Sequence, residues 1–371
     1  MARNDQKELN TLVLQGGGAL GSFQAGAYEV LSGRGYEPEW LAGISIGAIN
    51  AGIIAGNEPA NRLRRLRGFW EEITNDVLGH PLFGDVRSRT AFNEISANLS
   101  LVNGVSGFFR PWWPFAWPGT GPAARGVSFY DTSPLLKTLT DIIDFDYLNE
   151  RGPRLSLGAV NIKTGNFAYF DSTTTRLGPE HIMASGALPP GFPPVEIDGH
   201  WYWDGGLVSN TPLQHVLENS GERPLCIFQI DLFSARGALP ESLIEVAQRE
   251  KDIRYSSRTR LTTDRFLQLH DISAAAQRLQ EKLPDEFKDD PDLKRLLEID
   301  AKCAVTLVHL IHRMAEYEGS AKDYEFSRLS MNDHWNAGKA DVVKTLGHTA
   351  WKNRTISADS LQIFDLNKGD D

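Results

Sequence analysis

The stretch Gly43-Ile44-Ser45-Ile46-Gly47 constrains this chain more than any other. A serine between two glycines at this spacing suits one backbone shape, the sharp strand-to-helix nucleophile elbow. The flanks agree. Trp40-Leu41-Ala42 reads as a short buried strand, and Ala48 to Ala55 as an apolar, small-residue helix. Both glycines then have a physical role, since β-carbons there would crowd the turn and the close strand–helix contact. A serine on such an elbow makes the chain a hydrolase. The competing reading is a Gly-rich loop in which Ser45 caps a helix.

Composition narrows the class. With 371 residues, 41% of them hydrophobic and 10% aromatic, the chain can bury one large core or a core with an appended domain. A net charge of -10 speaks against a nucleic-acid binder, which needs a basic field to meet phosphates. Two cysteines, Cys226 and Cys303, are too few for a disulfide framework and lack zinc-site spacing, so a reducing compartment is expected. Met1 to Asn10 is polar and no later stretch holds 18 uninterrupted apolar residues. The expectation is a cytoplasmic protein whose membrane contact, at the inner membrane surface, is peripheral.

Along the chain, Thr11 to Leu14 reads as a first strand, Gly16 to Gly21 as a Gly-rich loop, and Ser22 to Gly33 as a helix before the strand that runs into Ser45. This order implies a parallel sheet with right-handed crossovers. Arg62, Arg64, Arg65 and Arg67 lie between apolar residues at helical spacing, as a solvated face or a contact for anionic headgroups. Between Asn103 and Gly126, a Pro-rich loop carries Phe108, Phe109, Trp112, Trp113, Phe115 and Trp117. It is either stapled to the core or forms a lid that grips an acyl chain. Hairpins are predicted over 155–171 and over 195–203, and Leu225 to Ile230 as a buried parallel strand. From about Pro240 amphipathic helices dominate, with a further strand at Ala304 to Ile311 and a last helix at Ser330 to Leu346.

Ester cleavage by Ser45 needs a base, donors for an oxyanion and an apolar slot. Gly16, Gly17 and Gly18, between a strand and its helix, can present backbone N–H groups where negative charge is stabilised. The nine histidines are scattered through the sequence. Asp204 is the better base, since an aromatic strand, Trp201-Tyr202-Trp203, would carry it into a site and Gly205-Gly206 would turn the chain away. Desolvation by Trp201 and Trp203 is expected to raise its pKa. Leu188, Pro189, Trp112 and Trp113 are candidates for the acyl slot.

Gly16-Gly17-Gly18-Ala19-Leu20-Gly21, Gly43-Ile44-Ser45-Ile46-Gly47 and Asp204-Gly205-Gly206, in that order, resemble the patatin-like phospholipase family, as does Ala184 to Pro190 before the aspartate. The resemblance covers roughly residues 9 to 233. It implies a three-layer α/β/α patatin-like fold with a mostly parallel central sheet. It also implies a Ser45–Asp204 dyad acting on lipid or other acyl esters, with the Gly-rich loop as oxyanion hole and no metal or organic cofactor. Leu20 stands where many members carry a basic residue. The expected division is an acyl hydrolase domain over 1–235 and a mainly helical C-terminal extension over 236–371. No feature of the sequence sets the oligomeric state or chooses among phospholipid, lysophospholipid, acylglycerol and hydroxyacid polyester.

Other readings compete with this one. Gly16-x-Gly18-x-x-Gly21 also fits a dinucleotide fingerprint, but the second strand ends at Ser45 and not at an acidic residue. An α/β-hydrolase triad would pair Ser45 with Asp204 or Asp231 and a later histidine such as His270, yet one strand alone precedes the elbow strand. A lipid-binding protein without turnover is the third.

Overall fold

Buried strands that alternate with helices must lie parallel, because each helix carries the chain back to the edge from which the next strand starts. The computed structural model has this architecture. It describes residues 7–75, 79–81, 83–112, 127–221, 223–257, 259–287, 289–297, 304–355 and 361–366. Its strands are β1 (Leu9–Leu14), β2 (Trp40–Gly43), β3 (Arg110–Pro111), β4 (Tyr130–Asp131), β5 (Arg154–Asn161), β6 (Phe167–Asp171), β7 (Val195–Ile197), β8 (His200–Asp204), β9 (Leu225–Asp231), β10 (Val305–Ile311) and β11 (Leu361–Phe364). Among the described residues, nine of them form one sheet in the order β11-β10-β9-β1-β2-β5-β8-β7, with β6 also paired to β5. The run from β11 to β5 is parallel, whereas β6, β7 and β8 are antiparallel additions.

The two faces of β1 belong to different layers. Leu12 and Leu14 join a core cluster with the helices Ser22–Gly33, Ile46–Ala55 and Arg328–Gly347, while Val13 packs on the opposite side with Leu213, Val216 and Phe266. Period-two alternation along a strand buried on both faces produces this division. The region after residue 235 is mainly helical and is also built into the same sheet. Its strand β10 pairs with β9 over seven residues and β11 extends the edge.

One feature of the sheet sets up the site. Strands β2 and β6 both pair with Ser156 and Leu157, so they occupy opposite edges of β5; β6 and β8 both pair with Ala159 and Val160, so they too are on opposite edges. It follows that β2 and β8 share one edge of β5 and run toward each other. Gly43, the last residue of β2, pairs with Leu157, and Asp204, the last of β8, pairs with Ala159. Gly158 alone separates the two pairs.

Candidate active site

The chain leaves β2 through a turn that glycine makes possible. A β-carbon on Gly43 would lie 2.4 Å from the Gly47 carbonyl oxygen, and one on Gly47 would lie 2.3 Å from that of Leu14. Between them Ser45 takes φ 54° and ψ -122°, a conformation that non-glycine residues rarely adopt and that persists when the surroundings fix it. The fixing bonds are present. The Ser45 N–H lies 3.2 Å from the Ser185 carbonyl oxygen and 3.1 Å from its Oγ, and the Ser185 hydroxyl donates to the Gly158 carbonyl at 2.7 Å. The Ser45 side chain makes no capping bond to the helix Ile46–Ala55, so the helix-cap reading is set aside.

Asp204 meets this hydroxyl from the other side. Its side chain is buried, it accepts a hydrogen bond from Ser45, and its Oδ1 accepts the Gly206 N–H at 2.7 Å. Burial pushes the carboxyl pKa up to about 7, with those two hydrogen bonds pulling the other way. The tryptophans are not what buries it. Trp201 and Trp203 alternate to the face of β8 opposite Asp204, and Trp201 is 41% exposed.

The Gly-rich loop lies over the pair. A β-carbon on Gly16 would come within 3.1 Å of Ser45 Cβ and 2.4 Å of Asn210 Oδ1, so a side chain there would have to displace the Asn210 amide and press on Ser45. The Gly16 N–H donates to the Asn210 carbonyl at 3.2 Å. Among the described residues no carbonyl takes the N–H groups of Gly17 or Gly18, which open the 3-10 turn Gly18–Gly21 leading into the helix Ser22–Gly33. Asn210 clamps the loop, its Nδ2 donating to the carbonyls of Gly16 (3.0 Å) and Tyr255 (2.8 Å). Gln15 anchors it from behind. Its Oε1 accepts the N–H groups of Leu232 (2.6 Å) and Phe233 (2.8 Å), and its carbonyl accepts Gln24 Nε2 at 2.7 Å.

Ser45, Asp204 and Gly16 to Gly18 open into one cavity of about 280 Å³. Its wall is apolar and aromatic, with Leu188 and Pro189 on one side and Phe108, Phe109 and Phe192 on another. Phe108 and Phe109 come from the Pro-rich loop. Trp112 does not line the cavity, and its Nε1 donates to Ser128 Oγ at 3.1 Å. Trp113 lies outside the described residues. No described histidine lines the cavity: His215 sits 3.6 Å from Asp171, and His181 accepts the Gly178 N–H, while the side chain of His270, the histidine of the triad reading, lies outside the described residues. An alcohol bonded to a buried carboxylate, at an apolar cavity that Gly17 and Gly18 also line, is equipped to transfer an acyl group.

The model of a family described as patatin-like phospholipase matches residues 12–217, more than half of the chain. The chain belongs to the patatin-like phospholipase family. At the family level it is therefore a lipid hydrolase. A second model, described as patatin phospholipase, matches residues 253–357. That second stretch supplies cavity wall to this patatin-like phospholipase through Tyr255, Asp323, Tyr324 and Phe326. No sequence motif marks this contribution, because isolated aromatic residues among amphipathic helices look like ordinary core.

Among solved structures, VipD from Legionella pneumophila is similar at 16% identity and a TM-score of 0.35, covering 88% of this chain and 67% of that one. The heterodimeric ExoU–SpcU complex from the type III secretion system of Pseudomonas aeruginosa is similar at 17% identity and a TM-score of 0.29, over 78% of this chain and 59% of that one. No curated protein matches the chain in sequence at a significant level. Among the described residues no helix is long and apolar enough to cross a membrane.

Proposed function

We propose that this patatin-like phospholipase is a serine acyl hydrolase that cleaves carboxylic esters of lipids through a Ser45–Asp204 dyad and a covalent acyl-serine. One observation carries the reading: the Ser45 hydroxyl donates to a carboxylate that is itself buried at the base of an apolar cavity. A carboxylate whose pKa is raised to about 7 is a far better proton acceptor near neutrality than one at its ordinary value of 3.8.

The chemistry follows the geometry. Ser45 Oγ attacks the ester carbonyl as its proton passes to Asp204, and the tetrahedral oxyanion takes hydrogen bonds from the N–H groups of Gly17 and Gly18. Collapse breaks the bond to the alcohol, which leaves with the proton from Asp204. Water then attacks the acyl-serine, giving its proton to Asp204, and the fatty acid departs while Ser45 recovers its hydroxyl. Gly16 serves by lying flat on Ser45, and Asn210 by holding the loop in place. Leu188, Pro189 and the aromatic wall receive the acyl chain. The test is labelling by a fluorophosphonate probe. Labelling at Ser45 that vanishes in Ser45→Ala supports the reading, and a folded wild-type protein that takes no label points to lipid binding without turnover.

A further inference from the structure

Away from the cavity, three side chains that no step above uses converge in the C-terminal region. His312 directly follows β10, where its N–H donates to the Asp231 carbonyl at 2.8 Å. Glu318 stands in the loop that follows, and His334 on the helix Arg328–Gly347. All three are buried, and one nitrogen or oxygen from each falls within 4.8 Å of the others. His334 Nε2 is 2.6 Å from Glu318 Oε1, and His312 Nε2 is 3.6 Å from the same oxygen.

This cluster is incompletely satisfied. His312 Nε2 and His334 Nδ1 are both buried without a hydrogen-bond partner. An unpartnered buried polar atom costs about 1–3 kcal/mol, so a native fold keeps one where something else satisfies it. Of the two, His312 Nε2 is the orphan that lies beside Glu318 Oε1, the oxygen His334 Nε2 already approaches, so an ion held between these three atoms would satisfy it; His334 Nδ1, on the other side of its ring from Nε2, would not be a ligand. The other oxygen, Glu318 Oε2, accepts the Ala315 N–H at 3.3 Å, an outer-shell bond of the kind that orients a ligating carboxylate. A cavity of about 50 Å³ reaches Glu318 and His334, room for a water to complete four-fold coordination. Lys322 also borders this cavity, and its ammonium is paired with the Asp252 carboxylate at 2.7 Å.

We propose that His312, Glu318 and His334 bind a divalent transition-metal ion of the zinc type. Two imidazole nitrogens and one carboxylate suit zinc, whereas magnesium and calcium prefer oxygen throughout. The ion would act structurally on the lipid-hydrolase site. The His312 ring packs on Phe23, in the helix that follows the Gly-rich loop, with ring centres 5.3 Å apart. Just beyond Glu318, the Asp323 carbonyl oxygen sits against Gly18, where a β-carbon would be 2.0 Å from it. An ion here ties the strand end, the loop and the helix together and so holds the Asp323–Tyr324 wall on the oxyanion side of the cavity.

The test uses the full chain, stripped by a chelator and titrated with Co²⁺ and then Zn²⁺. We expect one Co²⁺ per chain with the visible absorption of a four-coordinate site, displacement by Zn²⁺ and none by Mg²⁺, and a melting temperature several degrees higher with Zn²⁺ than with chelator. The double variant His312→Gln/His334→Gln should bind Co²⁺ at least about 100-fold more weakly, and Ser45→Ala should bind it as the wild type does. Absence of the absorption together with the same melting temperature in Zn²⁺ and chelator would overturn the proposal, leaving Glu318 and His334 as a plain hydrogen-bonded pair. Unchanged Co²⁺ uptake by the double variant would overturn it as well, since the ion would then sit elsewhere. The readouts do not depend on turnover, so the metal site and the acyl-hydrolase reading fail separately.

Discussion

Ser45 and Asp204 meet because β2 and β8 run toward each other along a single edge of β5, their last residues paired two positions apart, at Leu157 and Ala159. The parallel strand delivers the hydroxyl through an elbow and the antiparallel strand delivers the carboxylate directly. Such a meeting needs no third strand between them. It also buries the carboxylate against β5, and burial raises its proton affinity.

That raised affinity predicts a pH dependence. Asp204 must be ionised to accept the Ser45 proton, so kcat/KM on a soluble acyl ester should climb with pH and level off above about 7. An acidic limb centred near 4, the ordinary value for aspartate, would show that burial does not tune this group.

The same affinity has a stability consequence of opposite sense. A carboxyl whose folded pKa is raised favours folding most below its unfolded value, and that contribution fades as pH rises from about 4 through 7. Asp204→Asn removes the ionisation and keeps an oxygen for the Gly206 N–H. At pH 8 it should melt higher than the wild type, the linkage being on the order of 4 kcal/mol at most. Thermal unfolding of both proteins at pH 5 and pH 8 measures it, and a variant destabilised equally at both would contradict it.

At the elbow, Gly47→Ala should destabilise the fold by about 3 kcal/mol or more, because the new methyl would sit 2.3 Å from the Leu14 carbonyl oxygen and backbone cannot yield as a side chain does. The midpoint of urea unfolding reports the loss. Gly33→Ala, where a β-carbon meets nothing within 4 Å, is the control that should show none.

Asn210→Ala breaks the clamp between the Gly-rich loop and Tyr255 without touching either member of the dyad. A loop displaced by a fraction of an ångström misplaces its N–H groups, and kcat should fall about 10- to 100-fold with little change in KM. A fall in KM-dependent binding alone, with kcat intact, would place Asn210 in the substrate slot instead.

Filling the cavity separates acyl recognition from chemistry. Leu188→Trp should cut kcat/KM for long-chain esters by at least about 10-fold while acetyl esters turn over as before, since each methylene kept out of an apolar wall forfeits about 0.8 kcal/mol. Equal losses on both esters would mean that Leu188 supports the elbow and not the chain.

What the sequence made legible was local. The elbow from Trp40 to Ala55, the loop of Gly16 to Gly21 and the turn at Asp204-Gly205-Gly206 each state their backbone shape in glycine spacing and strand flanks. Their convergence was not legible from spacing, because it depends on two strands sharing an edge of β5, which no short window records. The source of Asp204's burial differs from the expectation set by Trp201 and Trp203 for a related reason. Neighbours in sequence along a strand face opposite ways, so Trp203 was the wrong residue to expect beside it. Asn210 acts on the site through a side-chain amide that bridges two backbone carbonyls, and Tyr255 and Asp323 act through their own carbonyls and through packing, none of which a short window of sequence records.

The most direct test is the rate of acyl-ester hydrolysis by Asp204→Asn, measured with the fold verified by its unfolding midpoint. Loss of general base catalysis should slow a folded enzyme by about 100- to 10,000-fold at pH 8. Hydrolysis by Asp204→Asn at the wild-type rate would contradict the Ser45–Asp204 dyad.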